Sequence, residues 1–179
     1  RLSMHGTTFL ARRFDRASGG SRVHFSSAMA LLGRRDNEDT PASYLDLAEL
    51  TTRIGERPAE DLVELWSRVV FFVAVSNFDD HLRNHGYVLG ARGWRLSPAF
   101  DMNPDPARFG LSLTIDTVDN RPDFDLALSV AEYFGLAPSA ARQRLSEIVN
   151  AVSRWPTYAA DIGISKSEIQ RMEPAFRPD

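Results

Sequence analysis

The sequence predicts a mainly α fold with a small β component, of the α+β type. Three observations carry this. Apolar residues recur at helical spacing through residues 44–75 and again through 126–172. Between these stretches, Gly86–Leu89 and Trp94–Leu96 flank Gly90-Ala91-Arg92-Gly93, the chemistry of a hairpin turn. Finally, 179 residues with 43% hydrophobic and 25% charged suit one soluble domain with a sizeable core.

Taken in order, Thr7 to Phe14 reads as a β-prone strand, followed by the turn Ser18-Gly19-Gly20-Ser21. Arg22 to Phe25 can return as a second strand. Ser26 to Leu32 is a short helix stopped by Gly33. Thr40 reads as an N-cap with Pro41 at the first helical position, and Tyr44, Leu47, Ala48, Thr51 and Ile54 follow at helical spacing up to Gly55. A second helix starts near Pro58, with Glu60 and Asp61 at the positive end of its dipole. From Val69 it is apolar all round, so its end should be buried on every side. After the hairpin comes a loop rich in Pro and Asp, then Leu111 to Ile115 as a possible alternating strand. Leu126 to Phe134 is helical and ended by Gly135. Ala141 to Val152 is helical and ended by Pro156. Ser165 with Glu168 makes a capping box for a last helix.

Composition excludes several functions. Cysteine is absent, which removes disulfides, thiolate nucleophiles and cysteine metal sites and is compatible with a cytoplasmic location. The net charge of -3 offers no basic excess for phosphate backbones. The longest apolar run, Val69 to Val75, is far short of the roughly 18 residues that span a bilayer. Among 21 basic residues only Lys166 is a lysine. Any chemistry that needs a lysine before it must find one elsewhere.

The densest polar run is Asn77-Phe78-Asp79-Asp80-His81-Leu82-Arg83-Asn84-His85. It directly follows the buried helix and directly precedes the hairpin. Such groups must be paired or hydrated, so a solvated loop is one reading. A helix-to-hairpin junction that presents side chains to a cleft is the other. Asp79 and Asn84 are five apart. A carboxylate and a carboxamide at that step form the pattern of a kinase catalytic loop, where the Asp takes the substrate hydroxyl proton and the Asn holds magnesium. Asp101 follows the hairpin in Ser97-Pro98-Ala99-Phe100-Asp101 and supplies a further hard oxygen ligand. Read alone, it is a turn residue before Pro104.

The runs Phe78 to Asn84 and Leu96 to Pro104, with Leu10-Ala11-Arg12-Arg13-Phe14-Asp15-Arg16 before them, resemble the HipA-like serine/threonine kinases, the toxins of HipA/HipB toxin–antitoxin systems. The family pattern is roughly D-x-H-x-K-N, then L-x-P-x-[YF]-D, preceded by R-F-D-R. Arg83 stands where the family usually has lysine. The resemblance implies a kinase C-lobe with a hinge strand at its N-terminus. Residues 1–25 would then be the hinge region and residues 26–179 the helical lobe, with a catalytic loop at 77–85 and a metal-binding turn at 97–104. It implies Asp79 as catalytic base, His81 beside the transferred phosphate, Asn84 and Asp101 as Mg2+ ligands, and backbone contacts from Arg12 and Phe14 to the adenine of ATP. It also implies transfer of the γ-phosphate to a protein Ser or Thr, by family an aminoacyl-tRNA synthetase, so that translation is inhibited. The implied partner is a HipB-like helix-turn-helix antitoxin, with DNA reached only through it and no membrane involved. The phosphate loop and the ATP-anchoring lysine of such kinases would precede Arg1, so the chain alone is expected to be inactive.

Two other readings compete. The chain can be a catalytically incomplete module that docks an antitoxin. It can also be a metal-dependent phosphohydrolase using Asp79, Asp80, His81 and His85, although such hydrolases gather more histidines than His5 and His24 can add.

Overall fold

The computed structural model describes residues 10–35, 40–107 and 109–176. Its architecture is the mainly helical one expected, with one small sheet. The order is β1 (Phe25–Ser27), α1 (Ala28–Leu31), α2 (Tyr44–Ile54), α3 (Pro58–Val75), β2 (Gly86–Leu89), β3 (Trp94–Leu96), α4 (Phe124–Ser129), a 3-10 turn (Ala131–Phe134), α5 (Pro138–Val152), α6 (Trp155–Asp161) and α7 (Lys166–Met172). Among the described residues no helix is long and apolar enough to cross a membrane.

Helix α3 is the axis of the fold. Pro58 opens it, Glu60 and Asp61 occupy its first turn, and Leu65, Trp66, Val69, Val70, Phe72 and Val73 are buried along it. Helices α2, α4 and α5 pack around it. The Trp66 indole reaches across to donate to the Ala127 carbonyl at 2.9 Å, so even its one polar atom is paired in the core. The helix ends at Ser76, whose φ of 52° lies in the left-handed region. That turn releases the chain into the polar run 77–85 from inside the core.

The sheet has the order β1-β2-β3, antiparallel throughout, with Ser26 opposite Tyr87 and Tyr87 opposite Leu96. The predicted hairpin is present with the same bounds. It is fastened to α3 by Asp61, which accepts from the Arg95 guanidinium at 2.9 Å and from the Leu96 amide at 3.1 Å. Gly93 passes so near the α2 terminus that a Cβ there would sit 2.8 Å from the Ile54 carbonyl oxygen. Glycine is the residue that close approach permits.

Several sequence expectations differ from the structure. Part of the predicted strand from Thr7 to Phe14 lies outside the described residues, and Leu10 to Phe14 are not in a ladder. Asp15 instead accepts from Arg13 at 2.6 Å and from Arg16 at 2.6 Å, and the chain folds back through a lone Arg16–Arg22 bridge. The second predicted strand, Arg22 to Phe25, starts its ladder only at Phe25. Helix α2 is capped by Ser43, not Thr40. Ser43 Oγ accepts from the Asp46 amide at 3.0 Å while Asp46 accepts from the Ser43 amide at 2.8 Å, a reciprocal box that Thr40 and Pro41 cannot match. Leu111 to Ile115 is not a strand. Leu111, Leu113 and Ile115 are all buried, so the alternation did mark a core face, but their segment bonds to nearby turns: Leu111 to Asn120 at 2.9 Å and Ile115 to Asp119 at 2.7 Å. Leu126 to Phe134 divides into α4 and the 3-10 turn. Pro156 follows the end of α5 and sits in the first turn of α6, which had no expected counterpart.

Candidate active site

The segment 76–85 runs from the left-handed end of α3 to the start of β2. Two adjacent carboxylates take opposite environments on it. Asp79 is exposed, whereas Asp80 is fully buried. Asp80 accepts from the Tyr44 hydroxyl on α2 and from the Ser112 amide at 2.8 Å. Burial pushes its pKa up to about 6, against the lowering effect of those two donors. The Ser112 hydroxyl also donates to the Phe78 carbonyl at 2.7 Å. Residues on both sides of Asp79 are therefore bound by Ser112.

Asn84 is nearly buried and returns to the same loop. Its Nδ2 donates to the Asp79 carbonyl at 2.9 Å. That donation commits the amide nitrogen inward and makes Oδ1 the atom left for a ligand. His81 is half-buried, and its Nδ1 has no hydrogen-bond partner among the described residues. His85 is fully buried, with the Tyr44 and Phe72 rings edge-on at 5.5 and 6.0 Å. Burial first, and the Arg68 charge second, lower its pKa to about 3, so it is a neutral packing residue at ordinary pH.

Asp101 lies on the turn after β3 and is exposed, with a φ of 56°. Asp is among the few residues that accept the left-handed region. Its Oδ1 accepts from Asn103 Nδ2 at 2.7 Å. The turn is tied to the loop at two points. The Asn103 amide donates to Asn77 Oδ1 at 3.0 Å, and the Asp105 amide donates to the Ser76 carbonyl at 3.0 Å. The buried Arg68 of α3 fixes its other end, donating to the Ser97 carbonyl at 2.6 Å. Phe14 is brought to the same place, its ring 5.8 Å from that of Phe100, next to Asp101. Arg12 is exposed on the segment leading to it. Asp79, His81 and Asn84 thus share one loop, and the Asp101 turn is stitched beside it.

The donor set is oxygen-rich and suits a hard ion: the Asn84 amide oxygen and the Asp101 carboxylate. Magnesium is commonly held by one or two carboxylates together with substrate phosphates. Among the described residues no three His, Cys, Asp or Glu side chains gather as a metal cage. The four residues of the hydrolase reading are accordingly dispersed, with Asp80 and His85 facing the core and Asp79 facing out. A cavity of about 520 Å³ lies behind the Asp101 turn, lined by Phe71, Met102, Trp155 and Phe176 among others. It is apolar and includes neither Asp79, Asn84 nor Asp101.

The sequence model described as HipA-like C-terminal domain matches residues 1–155. The chain belongs to the HipA-like family. The protein named "Putative kinase Y4mE" of Sinorhizobium fredii is 26% identical to this HipA-like chain over 191 residues, covering 93% of it and 44% of the relative. In three dimensions it is similar to HipA in the complex of Shewanella oneidensis HipA, HipB and operator DNA, with a TM-score of 0.72 at 17% identity, over 91% of this chain and 45% of that one. The HipA-like chain thus spans less than half the length of the proteins it matches.

The role that sequence reasoning did not assign is that of holding this HipA-like loop, which falls to Tyr44, Asp80, Ser112 and Arg68. Tyr44 read only as part of a helical stripe, Asp80 only as a candidate of the hydrolase reading, and Arg68 carried no signal of its own. Ser112 lay in an apparent strand. Their partners are 36, 32 and 29 residues away in sequence, so no local pattern marks them.

Proposed function

We propose that this chain is the catalytic lobe of an ATP- and magnesium-dependent protein kinase of the HipA type, acting on a protein Ser or Thr hydroxyl. The observation that carries the reading is Asp79: an exposed carboxylate on a loop whose flanking residues are bound to the core, with the Asn84 amide bonded to its carbonyl.

Asp79 acts as the base. It accepts the hydroxyl proton as the substrate oxygen forms its bond to the γ-phosphorus. The bond from that phosphorus to the β–γ bridging oxygen breaks, and ADP leaves with the electron pair. Asn84 Oδ1 and the Asp101 carboxylate hold magnesium, which when bound offsets negative charge on the phosphate oxygens. His81 presents its imidazole toward the transferred group. Backbone groups at Arg12 and Phe14 meet the adenine, and Phe14 packing on Phe100 supports that placement. Residues 26–179 form the lobe in this reading, and residues 1–25 the hinge region. The structurally similar HipA was solved with HipB and operator DNA. On that likeness we assign a HipB-like antitoxin as partner, with DNA reached through it. The family pattern of the Asp79–Asn84 and Asp101 motifs, not the structural likeness, is what suggests an aminoacyl-tRNA synthetase as the class of protein substrate.

The test is transfer of labelled phosphate from ATP to protein by the full-length protein that carries this chain. The reading expects transfer that needs Mg2+ and is lost in Asp79→Asn. Equal transfer by Asp79→Asn and the native protein would overturn it.

A further inference from the structure

Asp80 differs from its neighbour in every respect that matters for chemistry. It is fully buried, faces no cleft, and both its oxygens are engaged. A buried carboxylate is costly unless something offsets it. Among the described residues Asp80 makes no ion pair: it is held by the neutral Tyr44 hydroxyl and the neutral Ser112 amide, with the neighbouring Leu113 backbone also favouring its charged form. What these bonds do is join three separate parts of the chain, α2, the loop and the 111–115 segment. The Ser112 hydroxyl adds a bond to Phe78, so Phe78 and Asp80 are clamped by one residue while Asp79 between them stays exposed. On the far side of the loop Asn84 binds the Asp79 carbonyl.

We infer that Asp80, with Tyr44 and Ser112, is a positioning residue that sets the backbone orientation of Asp79 for phosphoryl transfer. The inference rests on the kinase reading of Asp79. Asp80 touches no reacting atom; it acts through the peptide it shares with Asp79. Such a latch affects the chemical step more than nucleotide binding, because a base displaced by about 1 Å can lose on the order of 100-fold in rate with substrate still bound.

Asparagine preserves the latch. Its Oδ1 accepts from the Ser112 amide, and its Nδ2 donates to the Tyr44 oxygen, which can accept as well as donate. Alanine removes both bonds. The experiment uses the full-length protein with MgATP as probe, following γ-phosphate transferred to protein or water. Asp80→Ala is expected to lower kcat by about 10–100-fold with KM for MgATP within about two-fold. Asp80→Asn is expected within about three-fold of native, and Tyr44→Phe in between. Amide hydrogen exchange over residues 78–84 is measured in parallel and is expected to quicken in Asp80→Ala but not in Asp80→Asn.

A folded Asp80→Ala with native kcat, or one that raises KM alone, overturns the inference. If Asp80→Ala does not fold, Tyr44→Phe decides on the same criterion. If the native protein does not consume MgATP, the kinase reading fails. Exchange then judges the latch by itself: unchanged protection of 78–84 in Tyr44→Phe and Asp80→Ala overturns it.

Discussion

The Asn84 side chain donates to the backbone carbonyl of Asp79 at 2.9 Å, closing the five-residue step between them into a ring. This bond gives the spacing a physical meaning. It turns the amide nitrogen of Asn84 into the loop and fixes which of its two polar atoms can serve a cation.

Asp79→Asn is the first test of that arrangement. The side chain is exposed, so unfolding is expected at nearly the native Tm. Phosphoryl transfer should fall by about 100- to 10,000-fold, the usual contribution of a general base. Parallel thermal melts and labelled-phosphate assays on one preparation separate the two quantities.

Asp101→Asn tests the metal role with the backbone held constant. Asparagine tolerates the left-handed φ of 56° seen at Asp101, so the turn should persist. With the charge removed, Mg2+-dependent nucleotide affinity is expected to drop by about ten-fold or more. Titrations with and without Mg2+ read this directly: a loss seen equally in both would assign Asp101 to something other than the ion.

Asp80 makes stability depend on pH in a stated direction. Its folded pKa of about 6 lies above the usual value of 3.8, so the folded state binds more protons between these values. The stability linked to this group is fully present below about pH 3.8 and is lost as pH rises through about 6. His85 works the opposite way, being held neutral by burial, and it is common to native protein and variant. Native protein and Asp80→Asn compared by urea unfolding at pH 4.5 and 7.5 therefore isolate Asp80. The variant should gain on the order of 1–3 kcal/mol relative to native on going to the higher pH. A difference that stays flat across that range would show that Asp80 is not raised.

Asp61→Ala should unfasten the hairpin from α3. The Asp61 side chain is 5% exposed and takes bonds from Arg95 and from the Leu96 amide. Breaking a buried pair from one side leaves the partner uncompensated, at a cost of about 3–5 kcal/mol when both are buried. Arg95 is 29% exposed, so a loss of about 2–3 kcal/mol is expected by urea denaturation.

The secondary structure near the site was largely legible. The buried stripe of α3 from Leu65 to Val75, the Pro58 start, the Gly-flanked hairpin and the Ser165–Glu168 cap all depend on residues within a few positions of one another. Where a feature depended on a distant partner, legibility failed. Thr40 and Ser43 are both good caps, and the choice fell to the one that Asp46 can answer. Leu111 to Ile115 has the period of a strand, but a strand also needs a neighbour to pair with, and Thr114 meets α2 at a single bridge to Ser43.

The same division runs through the candidate site. Membership in the HipA-like family, the order of the motifs and the five-residue step from Asp79 to Asn84 follow from the amino-acid string, because these are properties of residue type and spacing. Only the tertiary structure decided that Asp79 faces solvent while Asp80 faces the core, and that Asn77 and Ser76 bind the Asp101 turn. Two neighbouring aspartates are chemically alike in a string of letters. Burial and the donors that Tyr44 and Ser112 bring from elsewhere in the chain make them different.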